Sequence, residues 1–437
     1  MPSGTATIEL TAQQSEAAAK IRTWFDDGGE QVFRLFGYAG TGKTTLARHL
    51  VDQLGVRDVL YAAFTGKAAY MLRRKGCVDA RTIHSLIYLP AEKARQKLHD
   101  LIKQRDEETN PAKHDILTRQ IKAEERKLDS PDWILRDVDD TGLTSAGLLV
   151  VDEVSMVGDA MAGDLLSYGV PTLVLGDPAQ LPPVDGAGYF IHAKPDHLLT
   201  EIHRFALDSP ITRLATAVRG STPGDRAYGI ADADGDCGRM DKIGVTDLFG
   251  YDQVLVGTNA TRWSAIHLLR ALRGLVGGMP VAGDRVMILA NSSQAEVFNG
   301  QPFEVTESRD VAGRDDRVEL DVTDEDGKQR TLTAWRAGFA GLEGEKQAKR
   351  DGRGNVVAAT FGQAITVHKS QGSEWDRVLV VDESGVFANI EAKNAARARR
   401  TDATQAGHLA GQRWLYTAIT RSATQVTIIP RIKGVLT

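Results

Sequence analysis

The chain has 437 residues, room for about three domains of ordinary size, and its 42% hydrophobic and 25% charged content is that of a globular protein with an ample core. A formal net charge of -5 and a pI near 6.1 exclude a surface that binds nucleic acid over its whole extent, while leaving room for a narrow basic channel. The distant Cys77 and Cys237 and the scattered histidines offer no metal-ligand spacing; with no apolar run near ~20 residues and no basic-then-apolar leader in MPSGTATIEL, a reduced, cytoplasmic setting is expected.

In chain order, QVFRLF predicts a strand and GKTTLARHLVDQLG a helix that stops at Gly55. DVLYAAF predicts a second strand, and GKAAYMLRR a helix closed by Gly76. Residues 91–130 break this alternation. They carry ten Lys/Arg and nine Asp/Glu around Leu98, Leu101, Ile102, Ile116, Leu117, Ile121 and Leu128, with a turn signal at Asn110-Pro111. This reads as a helical hairpin projecting from the first sheet: either a solvated charged arm or one that separates strands or binds a partner. Two more apolar strands follow, GLLVVDE at 147–153 and TLVLGD at 172–177. Apolar strands separated by helices imply a parallel sheet covered on both faces.

A second alternating unit begins with the strand QVLVGTN at 253–259 and the helix TRWSAIHLLRALRG. It resumes with AITVHKSQG, the strand VLVVDE, the helix RWLYTAITRS and the strand QVTIIP. Between its two parts lie the short alternating segments RVMIL, PFEV, RVELDV and RTLTAW, which predict a small antiparallel barrel. The expected plan is α/β. The first core comprises 1–90 and 131–198 with a charged helical insertion at 91–130. The second comprises 199–280 and 360–437 with a barrel insertion at 281–359. The basic run Lys393, Arg397, Arg399 and Arg400 is a solvated face or an additional basic patch.

Gly37-Tyr38-Ala39-Gly40-Thr41-Gly42-Lys43-Thr44 fits G-x-x-x-x-G-K-[ST] between a strand and a helix, the context such a phosphate loop requires. Gly37, Gly40, Thr41, Gly42, Lys43, Thr44 and Thr45 form the expected nucleotide cradle, with loop and helix N–H groups facing phosphate. Lys43 is placed for the β- and γ-phosphates and Thr44 for Mg²⁺. Val150-Val151-Asp152-Glu153 ends a buried strand in two acids. Asp152 is the second metal candidate, and Glu153 the group that orients and deprotonates water. VVDE recurs at 380–383 without a phosphate loop, so Asp382 and Glu383 are read as structural. TLVLGDPAQLPPV at 172–184 then ends a strand in a stiff loop, whose three prolines cannot donate.

GYAGTGKTT, AAFTGKAA, TIHSL, LLVVDEVSM, LVLGDPAQLPPV, LTEIHRF, QAITVHKSQGSEWDRV and YTAITRS occur in this order over nearly the whole chain. Together they resemble the superfamily-one DNA helicases of the RecD and Dda branch, most of all free-standing phage Dda-type helicases. The resemblance implies two RecA-like P-loop cores, a helical hairpin in the first and a small SH3-like β-barrel in the second. It implies an ATP-dependent helicase moving 5′→3′ on single-stranded DNA, with ATP and Mg²⁺ at the cleft between the cores. In that family the G-D-x-x-Q-L-P-P loop couples the two sites, so Gln180 would sense the γ-phosphate and Asp177 support the metal and water network. Prolines suit an element that moves as a unit between two arrangements. Arg204 and Arg421 match the arginines sent to the γ-phosphate, with Phe205 where many relatives have Gln. Gln14, in LTAQQ, matches an adenine-reading position, although a helix cap at Thr11 also accounts for that stretch. Glu374 matches an acid near the ribose.

For the nucleic acid, the family matches are Phe64, Thr65, Thr82, His84, Thr366, His368 and Lys369. Hydroxyls, imidazoles and one lysine suit phosphate contacts without sequence reading. Phe64 fits either base stacking or the core. Implied partners are single-stranded and tailed or forked duplex DNA, single-strand-binding or replication and recombination proteins, and no membrane, with the chain a monomer. The alternative reading is an ATP-binding switch or subunit of a larger recombination or replication complex. A nuclease lacks its cluster of acids or histidines, and a GTPase its N-K-x-D tetrapeptide.

Overall fold

A computed structural model of the chain describes residues 10–90, 100–105, 108, 113–114, 116–118, 120–121, 133–138, 141–183, 188–202, 209–230, 237–292, 294–351 and 355–430. The first apolar strands assemble into a six-stranded parallel sheet. Its spatial order is Arg81–Thr82, Val59–Ala63, Leu148–Asp152, Thr172–Gly176, Val32–Gly37, His197–Leu199. The central strands bury nearly every side chain, because helices cover both faces. Phe33, Leu35, Leu46, Leu50 and Leu175 pack on one face, and Phe36, Val151, Val174, Ile83 and Phe190 on the other.

The helix Lys43–Leu54 ends at Gly55, whose φ of 62° is the left-handed stop that glycine adopts freely. Gly76, at φ 88°, follows the helix Gly66–Arg74. The second sheet is also parallel, ordered Ala364–Thr366, Gln253–Val256, Trp375–Val381, Ser422–Ile429, Gly238–Arg239. These are two α/β cores of the RecA-like kind.

A third sheet lies between strands of the second core. Its order is Val356–Val357, Gln329–Trp335, Arg317–Thr323, Pro302–Asp310, Arg285–Ile288, Ala359–Phe361. Its two edge strands are separated in sequence only by Ala358, so one continuous segment supplies both edges, pairing with Gln329–Trp335 and with Arg285–Ile288. Val286, Phe303, Val318, Leu320 and Phe361 share a core with Val256, Leu379 and Ile429 of the second sheet. Arg270 fixes the junction: Nε and Nη2 donate to Asp284 at 2.8 and 2.9 Å, and Val281 N–H and Gln363 also bond to that buried carboxylate. A buried ion pair is tolerable when its lone pairs are satisfied in this way.

Two expected divisions shift. Leu199, assigned to the second core, is in the first sheet, because its strand pairs with Val32–Gly37. The third sheet runs past 359, because Thr360 and Phe361 pair with Met287 and Val286. The 91–130 arm falls largely outside the described residues; 100–105, 113–114, 116–118 and 120–121 are helical. Its base is an antiparallel ribbon that composition did not announce, Tyr88–Pro90 on Trp133–Leu135. The helix Ser384–Arg397 was also unanticipated. It carries Lys393 and Arg397, while Arg400 beyond it pairs with Asp402 at 2.7 Å.

Candidate active site

In a parallel sheet all strands end on one side, where ligand sites collect. Three neighbouring strands of the first sheet end at Asp152, Gly176 and Gly37. This brings the phosphate loop, the acid pair and the proline-rich loop together. Thr44 Oγ1 donates to Asp152 Oδ2 at 2.9 Å. These hard oxygens, at the start of a helix, have the donor chemistry that fits Mg²⁺. Lys43 Nζ donates to the carbonyls of Gly37 and Tyr38 at 2.7 and 3.0 Å. Gly37 is required here, since a Cβ would stand 2.6 Å from Thr41 Oγ1. Thr45 is exposed on the first helical turn.

Gln14 is buried and anchors the loop. Its Oε1 accepts from Thr11 N–H at 3.1 Å in a capping box, and its Nε2 donates to Thr41 O at 3.1 Å. Neighbouring Gln13 accepts at 2.8 Å from the N–H groups of both Thr200 and Glu201, which ties the start of LTEIHR to the first core. Arg204 lies outside the described residues.

Glu153 adopts a left-handed φ of 55°, uncommon for a residue with a side chain. Burial pushes its carboxyl above the ordinary range, Asp152 adds to this, and Arg421 and Lys43 oppose it. Arg421 enters from the second core, just before the strand Ser422–Ile429. Its guanidinium donates to Thr417 O at 3.2 Å and Ser373 O at 3.4 Å. Gln180 spans the gap. In the orientation its neighbours require, its amide donates to Glu153 Oε2 and accepts from Arg421 Nη2, both at 3.1 Å. Glu374 and Ser373 line the same cleft as Lys43, Asp152 and Arg421.

Asp177 is also buried, and burial pushes its carboxyl up against the pull of Lys43 and two hydrogen bonds. Those bonds come from Ala179 N–H at 2.9 Å and the Tyr416 hydroxyl at 2.8 Å. The rest of the proline-rich loop is held by the second core. Leu181 N–H donates to Thr417 Oγ1 at 2.9 Å, and Gln371 Nε2 donates to Leu181 O at 3.0 Å.

Thr65, Thr82 and Thr366 share one setting. Each stands at or just beyond the end of a parallel strand and caps the next helix, accepting from Ala68, Ser85 and Lys369 N–H. Phe64 is half-buried with its ring 6.1 Å from His84. His368 lies 5.6 Å from Phe387, and burial lowers the pKa of both histidines, keeping them neutral at pH 7. Burial also lowers Lys369, with help from Arg262 and Lys349, to about 8. Gly372 connects the two groups: a Cβ there would stand 2.8 Å from Thr65 Oγ1.

Sequence reading missed Tyr416, Thr417 and Gln371, although each lies inside a motif it quoted. It also missed Thr258, a threonine cap in the second core that accepts from Thr261 N–H at 3.2 Å. Glu383 accepts from Gly257 and Thr258 N–H at 2.6 and 2.9 Å, and Asp382 pairs with Arg239 at 2.7 Å. Both carboxylates thus hold parts of the second core together. Among the described residues, no cluster of His, Cys, Asp and Glu suits a metal. Both cysteines are buried and outside any disulfide, and among the described residues no helix is long and apolar enough to cross a membrane.

Residues 9–237, over half the chain, match the AAA domain family. The chain is 29% identical over 378 residues to the ATP-dependent RecD2 DNA helicase of Deinococcus radiodurans, covering 81% of this chain and 43% of that protein. It therefore spans under half the length of the curated relatives it matches. Its fold is similar to a structure of two coordinating Pif1 helicases at forked double-stranded DNA, with TM-score 0.51, 18% identity, and 96% and 92% of the two chains covered. A Bacteroides Pif1 helicase in complex with ADP-AlF3 and single-stranded DNA gives TM-score 0.50 at the same identity and coverage. At such identity the likeness bears on the fold alone.

Proposed function

The chain belongs to the AAA domain family, on the superfamily-one pattern of the RecD and Pif1 proteins, and from that premise we propose that it is an ATP-driven helicase moving 5′→3′ on single-stranded DNA. The observation that carries this reading is the Gln180 bridge between Glu153 of one core and Arg421 of the other. A protein that only binds nucleotide has no use for a buried base linked to a cation across a cleft.

In this reading the P-loop and Lys43 hold the ATP phosphates, and Glu153 orients and deprotonates the attacking water. Arg421, with Arg204, meets the charge that develops on the γ-phosphoryl group. Thr44 and Asp152 would hold Mg²⁺, which when bound offsets phosphate charge. Glu374 faces the ribose side of the cleft, and Gln14 sets the loop beside the adenine. Thr65, Thr82 and Thr366, with His84, His368 and Lys369, contact successive DNA phosphates, and Phe64 stacks on a base. The match to an ATP-dependent RecD2 DNA helicase supports the choice of DNA as substrate. The test is unwinding of duplexes bearing a 5′ or a 3′ tail, with Lys43→Ala as control. We expect ATP-dependent unwinding of the 5′-tailed duplex alone, and none by Lys43→Ala. Unwinding of the 3′-tailed duplex alone would void the polarity; unwinding of neither would void the motor.

Lys369 adds a pH signature. Below about pH 8 its ammonium is charged and pairs with a phosphate; above that it loses its proton. Affinity for single-stranded DNA should therefore start to fall as the pH passes about 8, by roughly tenfold for one charge-assisted contact. Fluorescence anisotropy between pH 7 and pH 9.5 would measure this. Lys369→Met should bind weakly with a flat profile, and an unchanged profile would remove Lys369 from the DNA track.

A further inference from the structure

The second core grips two consecutive residues of the phosphate loop. The Tyr416 hydroxyl accepts from Ala39 N–H at 2.9 Å and donates to Asp177 Oδ2 at 2.8 Å. Next to it, the Arg219 guanidinium stands 3.6 Å from the centre of the Tyr38 ring. Both belong to one rigid piece of the second core. Tyr416 lies near the end of the helix Ala403–Ile419. From the same helix, Gln412 Nε2 donates to the carbonyls of Val218, Arg219 and Ser221 at 2.9, 3.1 and 3.1 Å. The loop that follows Arg219 packs there too: Tyr228 stacks on His408 at 5.1 Å and reaches over Gly411, where a Cβ would meet its hydroxyl at 1.9 Å. Arg219, Tyr416 and Arg421 therefore move together.

We propose that Tyr416, with Arg219 as its companion, is a positioning residue through which the second core sets the shape of the phosphate loop for hydrolysis; this rests on the ATPase reading above. A phosphate loop works through the aim of its backbone N–H groups. One hydroxyl here fixes Ala39 N–H with its lone pair and Asp177 with its proton, so the loop and the coupling acid keep a set separation. Phenylalanine keeps the buried ring and loses both bonds. Because the grip comes from the opposite core, it acts in the closed, reacting arrangement rather than in the capture of ATP. Interactions confined to that stage appear in kcat and kcat/KM alike.

The experiment compares Tyr416→Phe with the parent chain in steady-state ATP hydrolysis at saturating single-stranded DNA, and in amide hydrogen exchange over residues 37–42. We expect kcat and kcat/KM to fall together by about tenfold, KM to stay within about twofold, and exchange of the loop to quicken. Arg219→Met, which leaves both hydroxyl bonds in place, should move the same readouts less; it carries the test should Tyr416→Phe fail to fold. Unchanged kcat, or a rise in KM alone, overturns the proposal. If the parent chain hydrolyses no ATP, the ATPase reading falls by itself, and loop exchange still decides on Tyr416: equal exchange in parent and variant overturns its role.

Discussion

Glu153→Gln should lower the maximal rate of ATP hydrolysis by about 10²- to 10⁴-fold, the usual worth of a positioned general base, while ATP still binds. The shape of the site survives this change. Glutamine matches glutamate in size, and the left-handed turn at residue 153 is set by the backbone between Asp152 and the short helix Val154–Met156. What is lost is the capacity to take a proton. That capacity is unusual here, because burial pushes the Glu153 carboxyl up while Arg421 and Lys43 keep it from rising unchecked. A carboxylate in such surroundings is a stronger base than one in water. Single-turnover hydrolysis measured beside equilibrium binding of a fluorescent ATP analogue checks the point. Normal turnover in the variant would strip Glu153 of its role, and lost binding would mean that it holds the nucleotide instead.

Arg421→Ala is the second large effect, with an expected loss of about 10³ to 10⁵ in kcat, as for arginines supplied across a cleft in other phosphoryl-transfer enzymes. Two costs combine. The charge that would meet the γ-phosphoryl group disappears, and Gln180 loses the donor that fixes its amide toward Glu153. Lysine should not rescue the variant. The guanidinium reaches Thr417 O, Ser373 O, Thr420 Oγ1 and Gln180 in a planar fork, which a point charge on a flexible stem cannot reproduce. Rapid-quench hydrolysis of Arg421→Ala and Arg421→Lys measures both. Activity in the lysine variant within about tenfold of the parent would mean that charge alone matters, against the fork argument.

What could be read from the sequence depended on how local the coding was. The phosphate loop was legible because its chemistry lies in the backbone and its spacing in consecutive residues: Gly37 must lack a Cβ and Gly42 must turn to φ 74°. The apolar strands were legible because a sheet covered on both faces demands unbroken hydrophobic runs. The partners of those motifs were not. Ala39 and Tyr416 meet across 377 residues, Leu181 and Thr417 across 236, and Leu181 and Gln371 across 190. Nothing in the pattern around either member announces such a pair. Leu199 was placed in the wrong core for a related reason: a three-residue strand at a sheet edge carries too few side chains to show which sheet it will join. The Tyr88–Pro90 ribbon is equally short and includes a proline, the residue that argues most strongly against a strand.

That ribbon bears on how such a protein changes over generations. Pro90 and Trp133 are cross-strand partners, and partners of this kind stand roughly 4.5–5.5 Å apart. The chain thus departs for residues 91–132 and returns at almost the same point. Whatever occupies the interval can lengthen, shorten or be exchanged, and the strands that carry Asp152, Asp177 and Lys43 keep their register. The ribbon is a socket: it lets the segment between its strands diversify at its own pace while the engine on the first sheet stays fixed.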